Sequence, residues 1–195
     1  MNYRYHKQGN QSVSIQNIKV SQNFLTERKL LQRIVGLSSI TKSDTVIEIG
    51  TGKGHLTGIL AERCSVLYSV EIDRKLYAQA KEKLHDKKNI KFICGDFLRY
   101  KLPSRGKYKI FANIPFNITT EIVMKLTKAY NPPVEMWLVM EKGAAKRFMG
   151  EKGDNRNCGE LQMKWNMKVV YYFRQEDFHP KPRVNSVLLH FKRKM

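Results

Sequence analysis

Where the apolar run Lys109-Ile110-Phe111-Ala112 stops, the chain sets Asn113, Ile114, Pro115 and Phe116 side by side. The Asn113 amide oxygen and the Ile114 backbone carbonyl can accept the two hydrogens of an exocyclic amine on an aromatic ring. Such a nitrogen is a poor nucleophile because its lone pair is delocalised. Holding both hydrogens favours a pyramidal nitrogen and exposes the pair. Pro115 fixes φ and removes a backbone donor. Phe116 offers a face on which a flipped or single-stranded base stacks, worth roughly 1–3 kcal/mol. These four residues form the candidate catalytic group, a device for making an adenine N6 attack.

A second group, Glu48-Ile49-Gly50-Thr51-Gly52-Lys53-Gly54, follows another short apolar run. Gly50, Gly52 and Gly54 let a ligand approach the backbone and free the turn to take positive φ. The dinucleotide pattern G-x-G-x-x-G fails, because His55 stands where its last glycine belongs, and no G-K-[ST] phosphate loop exists. About twenty residues past such a turn, a carboxylate can accept both hydroxyls of a ribose. That role falls to Glu71, while Asp73 reads as the N-cap of the next helix. Asp96, in Gly95-Asp96-Phe97, can accept from the exocyclic amine of a cofactor adenine. An adenosine pocket without a phosphate device points to S-adenosylmethionine, whose sulfonium carries a methyl ready to leave. Holding two such reactants in line matters more than a strong base. No metal is expected.

The elements that must position these groups alternate. Strands are predicted at Thr45–Ile49, Ser65–Val70, Ile90–Cys94, Lys109–Ala112 and Glu135–Met140. Helices are predicted at Thr26–Leu37, capped by Thr26, then His55–Arg63, Asp73–Leu84, Thr119–Tyr130 and Lys142–Met149. Strands separated by helices imply βαβ units and a parallel sheet covered on both faces. Val169–Phe173 and Val187–Phe191 have no helix-length segment between them and read as an antiparallel pair at the edge. Ligands of such sheets bind beyond the carboxyl ends of the strands, where every candidate residue above falls.

The 195 residues suit one domain, and 36 Lys+Arg against 17 Asp+Glu give a net charge of +19. An excess of this size argues for a polyanion, nucleic acid before a membrane surface. Residues 1–19, free of acids, read as a flexible basic arm, and 20–195 as the catalytic domain. No apolar run is long enough to span a bilayer, and the polar N-terminus lacks a secretory signal, so a soluble, cytoplasmic and monomeric protein is expected. Cys64, Cys94 and Cys158 are widely spaced and read as buried free thiols.

The ordered set Ser21-Gln22-Asn23-Phe24-Leu25, EIGTGKGHLT (48–57), VEID (70–73), GDFL (95–98), NIPFNIT (113–119) and FHPKPRVNSVL (178–188) resembles the rRNA adenine N6-methyltransferases. Within that group it is most similar to the erythromycin-resistance enzymes that dimethylate one adenine of large-subunit rRNA. The resemblance implies a Rossmann-like S-adenosylmethionine-dependent methyltransferase fold with a mostly parallel seven-stranded sheet and an antiparallel edge. It adds Asn23 and Leu25 to Gly50, Gly52, Gly54, Glu71, Asp96 and Asn113 around the cofactor. It also places Phe178 near the target base, beside Asn113 and Phe116, although from the residues alone Phe178 reads equally as a core aromatic. Methylation of this kind blocks macrolide, lincosamide and streptogramin B drugs. Members usually continue after the last strand into a small helical domain, which this protein is expected to lack, and many carry Tyr where Phe116 stands. Small-subunit rRNA dimethyltransferases of ribosome assembly share every motif, and a non-catalytic rRNA-binding derivative shares the fold. A DNA adenine methylase would typically carry a second proline at Ile114.

Overall fold

The computed structural model describes residues 23–151 and 156–194. The arm expected at 1–19 lies outside the described residues. In chain order the elements are β1 (Phe24–Leu25), α1 (Arg28–Gly36), β2 (Thr45–Ile49), α2 (His55–Arg63), β3 (Val66–Glu71), α3 (Arg74–Lys83), β4 (Ile90–Cys94) and β5 (Lys109–Asn113). A 3₁₀ turn (Phe116–Ile118) leads into α4 (Thr119–Thr127). Then come β6 (Glu135–Glu141), α5 (Lys142–Phe148), α6 (Arg156–Lys164), β7 (Trp165–Tyr172), β8 (Phe178–His179) and β9 (Ser186–Arg193).

Seven strands form one sheet in the order β4-β3-β2-β5-β6-β9-β7. The first five are mutually parallel, while β9 inserts antiparallel between β6 and β7. This is the mostly parallel sheet with an antiparallel edge that the sequence pattern implies. Because side chains alternate along a strand, successive residues feed two separate cores. Ile47, Ile110 and Leu138 join α4 and α5 through Ile122, Val123, Ala145 and Phe148 on one face. Val46, Phe111 and Trp137 meet Leu31, Ile34 and Leu60 of α1 and α2 on the other.

Several local expectations change. Glu27, not Thr26, occupies the N-cap of α1, and it makes no side-chain capping bond. α4 stops at Thr127 rather than Tyr130, consistent with the extended backbone favoured just ahead of Pro132 and Pro133. The edge strand β7 begins at Trp165, directly after the unforeseen α6. Cys64 is buried, but Cys94 is exposed, because it ends β4 at the open margin of the sheet; the Cys158 side chain lies outside the described residues.

Candidate active site

The parallel strands deliver their candidate residues to one rim. β2 runs into the glycine turn, β3 ends on Glu71, β4 is followed by Asp96 and β5 ends on Asn113. Two adjoining clefts open there. The larger, about 650 Å³ with its mouth, is lined by residues that include Asn23, Leu25, Gly52, Asn113, Ile114 and Phe116. The smaller, about 400 Å³, is lined by Ile49, Ile72, Asp96, Phe97 and Ile118 among others. Gly50, Glu71 and Pro115 belong to both walls.

Glu71 is 2% exposed and ties the turn to the strand. Its Oε2 accepts from the Gly52 amide at 2.8 Å, and its Oε1 from the Asp73 amide at 2.8 Å. A carboxylate has about four acceptor sites, so two remain for a diol. Burial pushes its pKa up, opposed by the backbone donors of Asp73 and Gly52. Asp73 is the N-cap, accepting from the amides of Lys75 and Leu76. Asp96 does two things: Oδ1 accepts from the Leu98 amide at 2.8 Å, closing a turn, while the residue walls the smaller cleft. Ile72, Phe97 and Ile118 make that cleft an apolar slot suited to a purine ring.

At the end of β5, Asn113 Nδ2 donates to the Asn23 carbonyl at 2.6 Å. A carbonyl only accepts, so the amide nitrogen must be the bonded atom, and Oδ1 is left to face away from that contact. Pro115 has φ −61° and ψ 128°, and the Thr119 hydroxyl closes the following turn onto the Phe116 carbonyl at 3.0 Å. The side chain of Ile114 is buried, so its part in any chemistry is confined to its backbone.

Asn23, Phe24 and Leu25 reach the cleft because β1 pairs with β8, with Leu25 opposite Phe178 and Phe24 opposite His179. This ribbon has no helical or long-strand signature in the sequence. Phe178 itself is 2% exposed, packs 5.3 Å from the Phe173 ring and walls neither cleft. It is the cross-strand neighbour of Leu25. Gly54 also stands apart from both clefts. Its φ is +75°, and an added Cβ would lie 3.2 Å from Leu84, so it serves the helix entry and the packing of α2 on α3. Gly52 is tighter still toward the site: at φ +54°, a Cβ would come within 2.9 Å of the Phe24 ring.

Sequence reasoning left Phe24, Thr51, Lys53 and His55 without roles, although all four line the larger cleft. Their place inside the SQNFL and EIGTGKGHLT stretches was the available signal. Lys53 Nζ lies 5.6 Å from the centre of the Phe24 ring. Beneath the turn, fully buried Glu48 accepts from the Ser69 hydroxyl at 2.6 Å, and Ser69 meets Thr51 at 2.5 Å. Among the described residues, no cluster of three or more His, Cys, Asp or Glu side chains could hold a metal ion.

A closely approachable glycine turn, a buried ribose-type acceptor, an apolar purine slot and the absence of G-K-[ST] fit a sulfonium nucleoside rather than a nucleotide. Sheet order and site together define a Rossmann-like S-adenosylmethionine-dependent methyltransferase. The family model for ribosomal RNA adenine dimethylase matches residues 13–195. An rRNA adenine N-6-methyltransferase from Limosilactobacillus reuteri is 40% identical over 178 residues, spanning 91% of this chain and 71% of the relative. A ribosomal RNA small subunit methyltransferase A from Streptococcus thermophilus is 36% identical over 185 residues, 89% of this chain and 63% of the relative. The crystal structure of the 23S rRNA methyltransferase ErmE superposes with a TM-score of 0.81 at 29% identity, covering 88% of this chain and 70% of that one. The chain belongs to the ribosomal RNA adenine dimethylase family.

Proposed function

We propose that this protein methylates the exocyclic N6 of one specific adenine in 23S rRNA and so confers resistance to macrolide, lincosamide and streptogramin B antibiotics. The observation that carries the chemistry is the anchored Asn113 amide, whose nitrogen is held by Asn23 so that its oxygen is available at the cleft. Asn113 Oδ1 and the Ile114 carbonyl accept the two N6 hydrogens, Pro115 keeps that corner rigid, and Phe116 stacks on the extruded base. Phe178 supports the same wall as the cross-strand neighbour of Leu25. Glu71 holds the donor's ribose, Asp96 its adenine amine, and Gly50, Gly52, Asn23 and Leu25 surround the rest of it. When bound, S-adenosylmethionine supplies a methyl on a positively charged sulfur, so the protein's main contribution is alignment.

The 23S assignment is supported by the likeness to the 23S rRNA methyltransferase ErmE. The small-subunit reading is kept alive by the Streptococcus thermophilus relative. We place the reaction in residues 20–195, with 1–19 as an arm on RNA phosphates, acting as a monomer in the cytoplasm. No described helix is long and apolar enough to cross a membrane. Incubating the purified protein with naked 23S and 16S rRNA and mapping methyladenosine by mass spectrometry tests the assignment. Modification of one 23S adenine is expected; modification of 16S rRNA alone would transfer the protein to ribosome assembly.

A further inference from the structure

The register of the sheet carries the rim of the site well past Asn113. Asn113 pairs with Val139, Val139 with Leu188, and Leu188 with Tyr171. Three strand spacings put the end of β7 roughly 14 Å from Asn113 along the same rim. There Tyr172 is 63% exposed, unusual for a large aromatic at the end of a strand. Lys142 Nζ lies 5.5 Å from the centre of its ring, and the Lys142 amide is held by the Asn185 carbonyl at 2.8 Å. A groove of about 470 Å³ runs beside this pair, lined by Lys142, Lys146, Met149, Glu151, Val169 and Tyr172. Glu151 neutralises part of it by pairing with Lys146 at 3.5 Å, which leaves Lys142 facing the aromatic. Exposed Arg174 and Arg183 lie nearby in the chain, after β7 and before β9.

A solvent-facing ring beside an ammonium group, on a chain of charge +19, is suited to a base and its phosphate. We propose that Tyr172 and Lys142 form a second stacking subsite, which takes an unpaired base flanking the target adenine while Lys142 faces the adjoining phosphate. This deepens the rRNA reading above and rests on it. The subsite fixes where along the strand the enzyme sits, so it contributes to choosing which adenine reaches Asn113.

The test pairs protein variants with RNA carrying single abasic positions around the target. Tyr172→Ala is expected to weaken RNA binding about tenfold, Tyr172→Phe to retain most of it, and donor binding to be unchanged in both. One abasic position should reproduce the loss in the wild-type protein and add nothing further to Tyr172→Ala, the non-additivity of a direct contact. Unaltered RNA affinity in Tyr172→Ala, or losses that add at every abasic position, would overturn the subsite. Methyl transfer by the wild-type protein to the same RNA checks the underlying function separately.

Discussion

At the residue scale, the account turns on which atoms are left over once the protein's own hydrogen bonds are made. Asn113 spends its amide nitrogen on Asn23 and keeps its oxygen. Replacing it by Ala should lower methyl transfer at least about 100-fold, the scale of losing one preorganised hydrogen-bond partner. Thermal unfolding should shift little. Glu71→Gln removes a charged acceptor and misdirects one of two buried backbone bonds, so calorimetry should find donor binding weakened about tenfold or more. Glu48 offers a pH test. Burial, with a smaller contribution from the charge of Glu71, pushes it from 4.5 up to about 8, against the pull of the Ser69 hydroxyl. Within that window the folded protein holds a proton that the unfolded chain has released, so stability falls as pH rises through it. Denaturation of Glu48→Gln across the same window should show a flatter decline than the parent.

At the element scale, two glycines of one turn should separate by their effects. Gly52→Ala drives a Cβ toward Phe24 at positive φ and should cost both stability, by about 1–2 kcal/mol, and donor affinity. Gly54→Ala meets α3 instead and should cost stability with donor affinity preserved; calorimetry beside thermal melts distinguishes them. The sequence could not separate these glycines, because spacing reports a turn and not the direction each residue faces. The alternation of β2 to β6 with their helices was legible because four of those strands bury apolar residues and β4 half-buries Ile90, Phe92 and Ile93. The Asp73 cap was legible too, since a carboxylate ahead of a helix has a clear use. What escaped was short or weakly patterned. β1 and β8 are two residues each, and α6 buries Leu161 but leaves Met163 71% exposed, so no apolar stripe marks it. Phe178 was read equally as a core aromatic and as a base contact, and spacing could not separate the two, because its β1–β8 pairing depends on long-range contacts.

At the scale of the whole molecule, a charge of +19 favours binding to a polyanion, and counterion release makes such binding depend on salt. Residues 1–19 contain Arg4, Lys7 and Lys19 with no acid. Deleting them should weaken RNA binding and reduce the slope of log affinity against log salt by up to about 2. An unchanged slope would mean that the arm makes no phosphate contact. In the proposed reading the rim from Asn113 to Tyr172 is the nucleic-acid face, and the donor pocket at the glycine turn adjoins its reactive corner. The central claim is that this corner activates an adenine N6. Its most direct measurement is transfer of a labelled methyl from S-adenosylmethionine to 23S rRNA, with the product nucleoside identified and mapped, for the parent and Asn113→Ala side by side. N6-methylated adenosine at a single position, lost in the variant, is the expected result; label on another atom, or equal transfer by both proteins, would contradict it.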